Sequence, residues 1–108
     1  MANHRLIVFT NPKEGREQDF RDWYVNTHLA EVSNLDGFIS GQLYTLATPV
    51  AEGGHRHMAV YEIEEGRLGE AQQALGGALK GGTLNMTDAF GPGQAALWWQ
   101  EEAPAVTR

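Results

Sequence analysis

Two histidines, a tyrosine and an arginine are the side chains of this sequence best suited to acid–base chemistry. Tyr24 and His28 stand four residues apart on an apolar helical stretch, while Arg5 and His57 lie in strand-like stretches. A neutral imidazole can remove a proton from a carbon beside a carbonyl group, and a tyrosine hydroxyl or a guanidinium can stabilise the resulting oxyanion. The residue types therefore predict His28 or His57 as the base and Tyr24 or Arg5 as the stabilising group.

The same histidines allow other interpretations. A hydrogen-bonded core histidine would also explain His28, because buried polar groups normally find partners. His55 and His57 are two residues apart on one strand and could bind a metal together with His28 or His4. Carboxylate or thiolate partners are not evident near them, and nothing marks an axial haem ligand. The prediction is a site with no metal and no cofactor.

Six stretches of the chain position these residues. Period-two patterns predict strands over residues 5–10, 38–46, 55–63 and 94–101, and 3.6-residue patterns predict helices from residue 14 or 16 to 34 and over residues 66–80. The order β-α-β-β-α-β predicts a ferredoxin-like α+β fold, in which a four-stranded antiparallel sheet carries both helices on one face. The strands are apolar on both faces, so a second copy is the expected cover of the free face, giving a homodimer with a barrel-like centre.

Composition limits the class of protein. The 108 residues predict one domain over residues 1–102 with a flexible tail over residues 103–108. Eight basic against 14 acidic residues give a formal charge of −6, which argues against nucleic acid or an anionic membrane as the partner. The chain has no cysteine and no apolar run long enough to span a membrane, so a soluble cytoplasmic protein is expected.

A spaced motif in the first helix and the turn after it resembles a known family. Trp23-Tyr24, His28-Leu29 and Asp36-Gly37-Phe38 resemble the W-Y-x-x-x-H and G-F signature of EthD-like proteins. Asp36 stands where a proline is common in that family, and Leu43-Tyr44 stands where an Arg-Tyr pair is frequent. The resemblance implies the dimeric α+β barrel superfamily, whose members include polyketide cyclases, cofactor-free monooxygenases, haem enzymes and muconolactone isomerases.

The architecture implied by this resemblance has a pocket between the helices and the sheet, for a small hydrophobic or aromatic ligand. His57 also resembles a pocket histidine of plant polyketide cyclases of the olivetolic acid type. Strand parity and helix facing predict these lining residues: Ile7, Phe9, Phe20, Trp23, Ala59, Tyr61, Phe90, Leu97 and Trp99.

Two classes of function fit such a pocket. The first is acid–base chemistry on a hydrophobic carbonyl or phenolic compound, as a cyclase or other lyase, an isomerase, a dehydratase or a cofactor-free oxygenase. The second is a non-catalytic binding or accessory protein of an oxidative catabolic system.

Overall fold

The computed structural model describes residues 3–108, so the first two residues of the predicted domain lie outside the described residues. Four strands and a set of helical segments follow the predicted order. They are β1 (His4–Thr10), α1 (Glu17–Trp23), a π-helical segment (Tyr24–His28), α2 (Leu29–Ser33), β2 (Phe38–Thr45), β3 (His57–Ile63), α3 (Leu68–Gly81) and β4 (Ala95–Gln100).

The strands form one sheet in the order β2-β3-β1-β4, and every neighbouring pair is antiparallel. The helices cover one face of this sheet, and the largest buried side chains, among them Phe20, Tyr24 and Tyr61, lie in that layer. The predicted ferredoxin-like α+β fold is confirmed, and the observed elements begin and end close to the predicted positions.

The facing of β1 and β4 differs from the prediction. Leu6 and Thr10 are fully buried, and the register pairs Leu6 with Tyr61 of β3 and Trp98 of β4. Directly paired residues of antiparallel strands share a face, so even-numbered residues of β1 and β4 lie on the helix side. The prediction was wrong because both faces of these strands are apolar. The alternation of residues therefore does not show which face meets the helices. The misplaced residues, all on the opposite face, are Arg5, Ile7, Phe9, Leu97 and Trp99.

The first helix is interrupted by the π-helical segment. On a straight α-helix, residues five apart point about 140° away from each other. Here the hydrogen bonds of one turn reach five residues back, and the rings of Trp23 and His28 stack with centroids 4.3 Å apart. The π-helical turn therefore places a tryptophan directly against the candidate base.

The turn after α2 depends on Gly37. Its φ of 89° is one that glycine adopts without strain, and a Cβ at this position would lie 2.8 Å from the backbone nitrogen of Ala71. Glycine thus allows α3 to pack directly against the turn between α2 and β2, which fixes one wall of the helix layer. None of the helices within residues 3–108 is long and apolar enough to cross a membrane.

Candidate functional site

A cavity of about 130 Å³ lies between the helix layer and the sheet. Strands β1, β3 and β4 form its floor, the first helix and α3 form its walls, and residues 86–94 close one side. Its lining is mostly apolar, with one histidine, two tyrosines and one glutamine; the full set is Leu6, Val8, Tyr24, His28, Val32, Tyr61, Leu75, Leu79, Met86, Phe90, Gln94 and Ala96.

His28 contributes a buried imidazole to this cavity. Trp23 stacks on one face of the ring, and the Tyr24 ring meets it nearly edge-on at 5.2 Å. The side chain is only 9% exposed, and its Nδ1 has no hydrogen-bond partner in the protein. Burial lowers the pKa of His28 to about 4, and the nearby carboxylate of Glu31 opposes this shift. The imidazole is therefore neutral at pH 7, and its buried Nδ1 is left without a partner.

Two buried hydroxyl groups lie beside Tyr24: that of Tyr61 belongs to the cavity lining, and that of Thr10 lies behind it. Tyr61 is buried and its Oη has no hydrogen-bond partner of good geometry; the same holds for Oγ1 of Thr10. Burial raises the pKa of Tyr61, and the neighbouring Tyr24 adds to this effect. Burial also raises the pKa of Tyr24, while the side chains of Tyr61 and Thr10 oppose the increase. Both phenols stay protonated at neutral pH and can donate hydrogen bonds.

His57 lies apart from His28. The ring of Phe20 packs against His57 at 5.1 Å and against Tyr24 at 5.2 Å, so two aromatic rings separate the two histidines. His57 instead lines a second cavity, of about 290 Å³, near the ends of β2 and β3. Its Nδ1 lies 3.3 Å from Oγ1 of Thr45. Burial and then the positive charge of Arg56 lower the pKa of His57.

The segment that precedes β4 is fastened to the first helix. The indole Nε1 of Trp23 donates to the carbonyl oxygen of Asn85 at 2.5 Å. The backbone and side-chain amides of Asn85 both donate to the carboxylate of Glu31, at 3.0 and 2.7 Å. These bonds hold Met86 and Phe90 over the cavity, and Phe90 also meets Trp23 edge-on at 5.0 Å.

The structure brings only some of the predicted site residues together. Tyr24, His28, Tyr61 and Phe90 line the cavity. Phe20, Trp23 and Ala59 pack behind that lining and hold it in place. Arg5, Ile7, Phe9, Leu97 and Trp99 lie across the sheet, and Phe9 lines the second cavity with His57.

Arg5 cannot meet a ligand in the helix-side cavity, because the sheet stands between them. The prediction that Arg5 stabilises an oxyanion in this cavity was wrong, because Arg5 lies on the face of β1 that points away from the helices. Further residues complete the lining that were not predicted. Leu75 and Leu79 carried a signal in the helical period of α3, and Gln94 begins the predicted last strand, whereas Met86 lies in irregular chain that had none.

The histidines do not meet in a metal-binding arrangement. Among residues 3–108, no three histidine, aspartate or glutamate side chains come together in a way that could hold a metal ion. His55 is occupied elsewhere, since its Nε2 lies 2.5 Å from the carbonyl oxygen of Gly93 and its ring packs against Phe9.

Comparisons with known proteins bear on the fold. No family model matches the sequence, and no curated protein matches it. The solved structure of the haem degrader MhuD of Mycobacterium tuberculosis, with two haems bound in its active site, matches 95% of this chain and 99% of its own, with a TM-score of 0.65 and 18% identity. An EthD family protein of Bacillus halodurans matches 94% of this chain and 99% of its own, with a TM-score of 0.53 and 16% identity.

The chain has the fold of the dimeric α+β barrel proteins. A monooxygenase of Streptomyces coelicolor, solved in complex with the ligand nanaomycin D, belongs to the same set of matches, with 11% identity over 99% of this chain and 93% of its own and a TM-score of 0.50. The predicted resemblance to EthD-like proteins is confirmed at the level of the fold by the match to an EthD family structure. At these identities the dimeric α+β barrel proteins share a fold with this chain, and function must be argued from the site.

Proposed function

We propose that this protein is a small-molecule enzyme that binds an uncharged carbonyl or phenolic compound in the helix-side cavity and transfers a proton at His28. The observation that carries the proposal is that two residues lining one apolar cavity, His28 and Tyr61, each hold a buried polar atom, Nδ1 and Oη, without a hydrogen-bond partner. A buried polar group without a partner costs about 1–3 kcal/mol, so a ligand that supplies the missing bonds recovers this energy.

The electrostatics favour an uncharged ligand. Among the residues that line the cavity there is no aspartate, glutamate, lysine or arginine. His28 is neutral because burial lowers its pKa, and the two phenols are neutral because burial raises theirs. A carboxylate in this site would lose its hydration and find no cation. A ketone, an aldehyde or a phenol instead finds donors and an aromatic surface.

The arrangement suits proton transfer near a carbonyl or phenolic oxygen. The phenol of Tyr61 donates to that oxygen and favours the enolate or phenolate form, while the free nitrogen of His28 accepts the proton. An enolate formed in this way leads to cyclisation, isomerisation or dehydration. A phenol can instead react as its phenolate with dioxygen to give a quinone: one oxygen atom stays on the ring, and the other leaves as water with the two hydrogen atoms that the phenol loses. A positioned acid or base of this kind contributes roughly 10² to 10⁴ in rate.

A carrier or accessory protein for the same compounds is the second candidate. The lowered pKa of His28 favours it, because a base works best when its pKa lies near the operating pH. A carrier needs the cavity and its hydrogen bonds but no transfer of the proton. Both candidate functions therefore predict that the compound binds, and only the enzyme predicts that it is converted to a product.

Haem fits the closed cavity poorly. An engineered cavity of about 150 Å³ holds one benzene ring, and the space beside His28 is of that order. A macrocycle is several times larger than one ring, and none of the residues that line the cavity is a lysine or arginine that could pair with the carboxylates of haem. The residues present do not fit haem, so no step of the proposed chemistry uses it.

The test is a set of aryl ketones, phenols and hydroquinones incubated with the protein in air and analysed by mass spectrometry. Gain of an oxygen atom, loss of water or an isomeric product supports the enzyme, and binding by calorimetry without any product supports the carrier. His28→Gln is expected to remove turnover and keep part of the binding, while His57→Gln is the matched histidine control and keeps both. Loss of turnover in His57→Gln alone would place the chemistry in the second cavity and contradict the proposal.

We also propose that the protein is cytoplasmic and forms a homodimer, in which a second copy covers the outer sheet face. The centre of that face is apolar and partly exposed within residues 3–108: Leu97 is 46% exposed and Trp99 is 50% exposed, beside Ile7, Phe9 and Val60. A contiguous apolar face of this kind usually marks an interface. Stable interfaces bury roughly 1,200–2,000 Å², which two such faces packed together can supply.

A further inference from the structure

A groove continues from the cavity toward solvent, between α3 and β4. It has a volume of about 340 Å³ and is lined by Leu6, Gln72, Leu75, Gly76, Leu79, Ala96 and Trp98. Four of these residues also line the cavity, namely Leu6, Leu75, Leu79 and Ala96. The groove therefore adjoins the cavity along these four residues and is the more open of the two.

The groove is apolar but uncovered. Leu79 is 52% exposed and Trp98 is 36% exposed, although both lie on the helix side of the sheet. α3 leaves this gap partly because Gly76 has no side chain, and nothing lies within 4 Å of the position that its Cβ would take. Gln72 is the single polar side chain among the seven lining residues, and none of the seven is charged.

The cavity, as the inner end, and the groove, as the outer end, differ in chemistry. The inner end carries the unpartnered Nδ1 of His28 and Oη of Tyr61, and both side chains are at least nine-tenths buried. The outer end offers mainly carbon surface, from Leu79, Ala96 and Trp98, with Gln72 as its one amide side chain. A ligand that satisfies both ends has a polar group on a ring that enters first and an apolar part that follows.

We infer that the groove is a subsite for an apolar substituent, an alkyl chain or a second ring, carried by the compound whose polar ring lies against His28 and Tyr61. This inference rests on the proposed function and specifies its substrate class as a lipophilic aryl alcohol or aryl ketone. The cavity has room for about one ring, so a larger substrate must extend along the adjoining groove. Burial of the substituent against Leu79 and Trp98 then contributes most of the affinity.

The test uses 4-methylphenol, 4-propylphenol and 4-hexylphenol as probes, with dissociation constants measured by calorimetry. Affinity is expected to rise about fourfold for each methylene that the groove covers. Gly76→Leu fills the groove, and it is not expected to unfold the protein because leucine is a better helix former than glycine and the position is open. It should weaken 4-hexylphenol about tenfold or more and leave 4-methylphenol within about twofold.

Gly77→Leu is the matched control, since Gly77 is the next residue of α3, has equally open surroundings and lines neither space. It should leave all three affinities within about twofold. Binding of every probe with no dependence on chain length, or equal effects of the two substitutions, would overturn the subsite and leave the proposed function standing. Failure of all three probes to bind would overturn both. A change of oligomeric state confined to Gly76→Leu, with unchanged affinity ratios, would make the groove a protein interface and contradict the inference.

Discussion

Replacing His28 by glutamine should reduce the loss in the free energy of unfolding that occurs as the pH falls into the acid range. The pKa of His28 is about 4 in the folded protein, against about 6.5 in an unfolded chain. Folding therefore favours the neutral ring, and the unfolded chain binds a proton first as the pH falls. The stability associated with neutral His28 is fully present above pH 6.5 and is lost as the pH falls from 6.5 toward 4.

The size of this effect follows from the two pKa values. At pH 5 the unfolded imidazole is almost wholly protonated, while the folded one is protonated in about a tenth of molecules. Linkage then gives a loss of about 2 kcal/mol between pH 8 and pH 5, to within a factor of two. With an m-value of about 1–3 kcal/mol per molar urea, the unfolding midpoint should fall by about 1 M more in the native protein than in His28→Gln.

The assay is urea unfolding at pH 8, 6.5 and 5, followed by circular dichroism, for the native protein, His28→Gln and His57→Gln. Other titrating groups contribute equally to each protein and cancel in the difference. His57→Gln should give a change of the same sign, because burial lowers that pKa too. A difference between native protein and His28→Gln that is constant with pH would refute the burial of a neutral His28. A difference that grows in favour of the native protein at pH 5 would mean that His28 is charged and paired with Glu31.

Three further predictions concern the cavity, α3 and the outer sheet face. Tyr61→Phe removes a buried hydroxyl without a partner, so it should raise the free energy of unfolding by about 1 kcal/mol and weaken phenol binding about fivefold or more, measured by urea unfolding and calorimetry. Tyr44→Phe, at an exposed position, is the control. A loss of stability in Tyr61→Phe would show that Oη of Tyr61 has a partner. Gly77→Ala should stabilise α3 by about 0.5–1 kcal/mol in thermal unfolding, and destabilisation would show that its open surroundings are filled in solution. Val60→Glu, at the centre of the outer sheet face, should convert a dimer to a monomer in light scattering, and an unchanged mass would contradict the proposed dimer interface.

The order of elements could be predicted because each element carries a local signal. Residues of the first helix recur at three and four positions, and Gly37 marks its end with a left-handed φ. The alternation of β3 also predicted its facing correctly, since His57, Ala59 and Tyr61 are buried and Glu62 lies on the other face. These signals need no knowledge of distant contacts.

The site was harder to predict because it depends on contacts between distant residues. β1 has Leu6 and Val8 on one face and Ile7 and Phe9 on the other, so hydrophobicity alone does not say which pair meets the helices. The π-helical segment spans only five residues, over which its period cannot be told from 3.6. The contact between His28 and Trp23 follows from that segment and was therefore missed.

Packing also decided which histidine belongs to the cavity. Both His28 and His57 were candidates from their residue type, and the ring of Phe20 separates them in the fold. The bonds of Asn85 to Glu31 join residues 54 positions apart, a pairing that no local pattern encodes. Residue types thus supplied the candidates, and packing decided which of them line the cavity.

A crystal structure of the protein with 4-hexylphenol tests the central claim most directly. We predict the ring in the helix-side cavity, its oxygen within about 2.6–3.2 Å of Nδ1 of His28 or Oη of Tyr61, and its chain along α3 toward Trp98. An empty cavity in which Nδ1 of His28 and Oη of Tyr61 are bonded within the protein, with the ligand bound beside His57 or absent, would contradict the account.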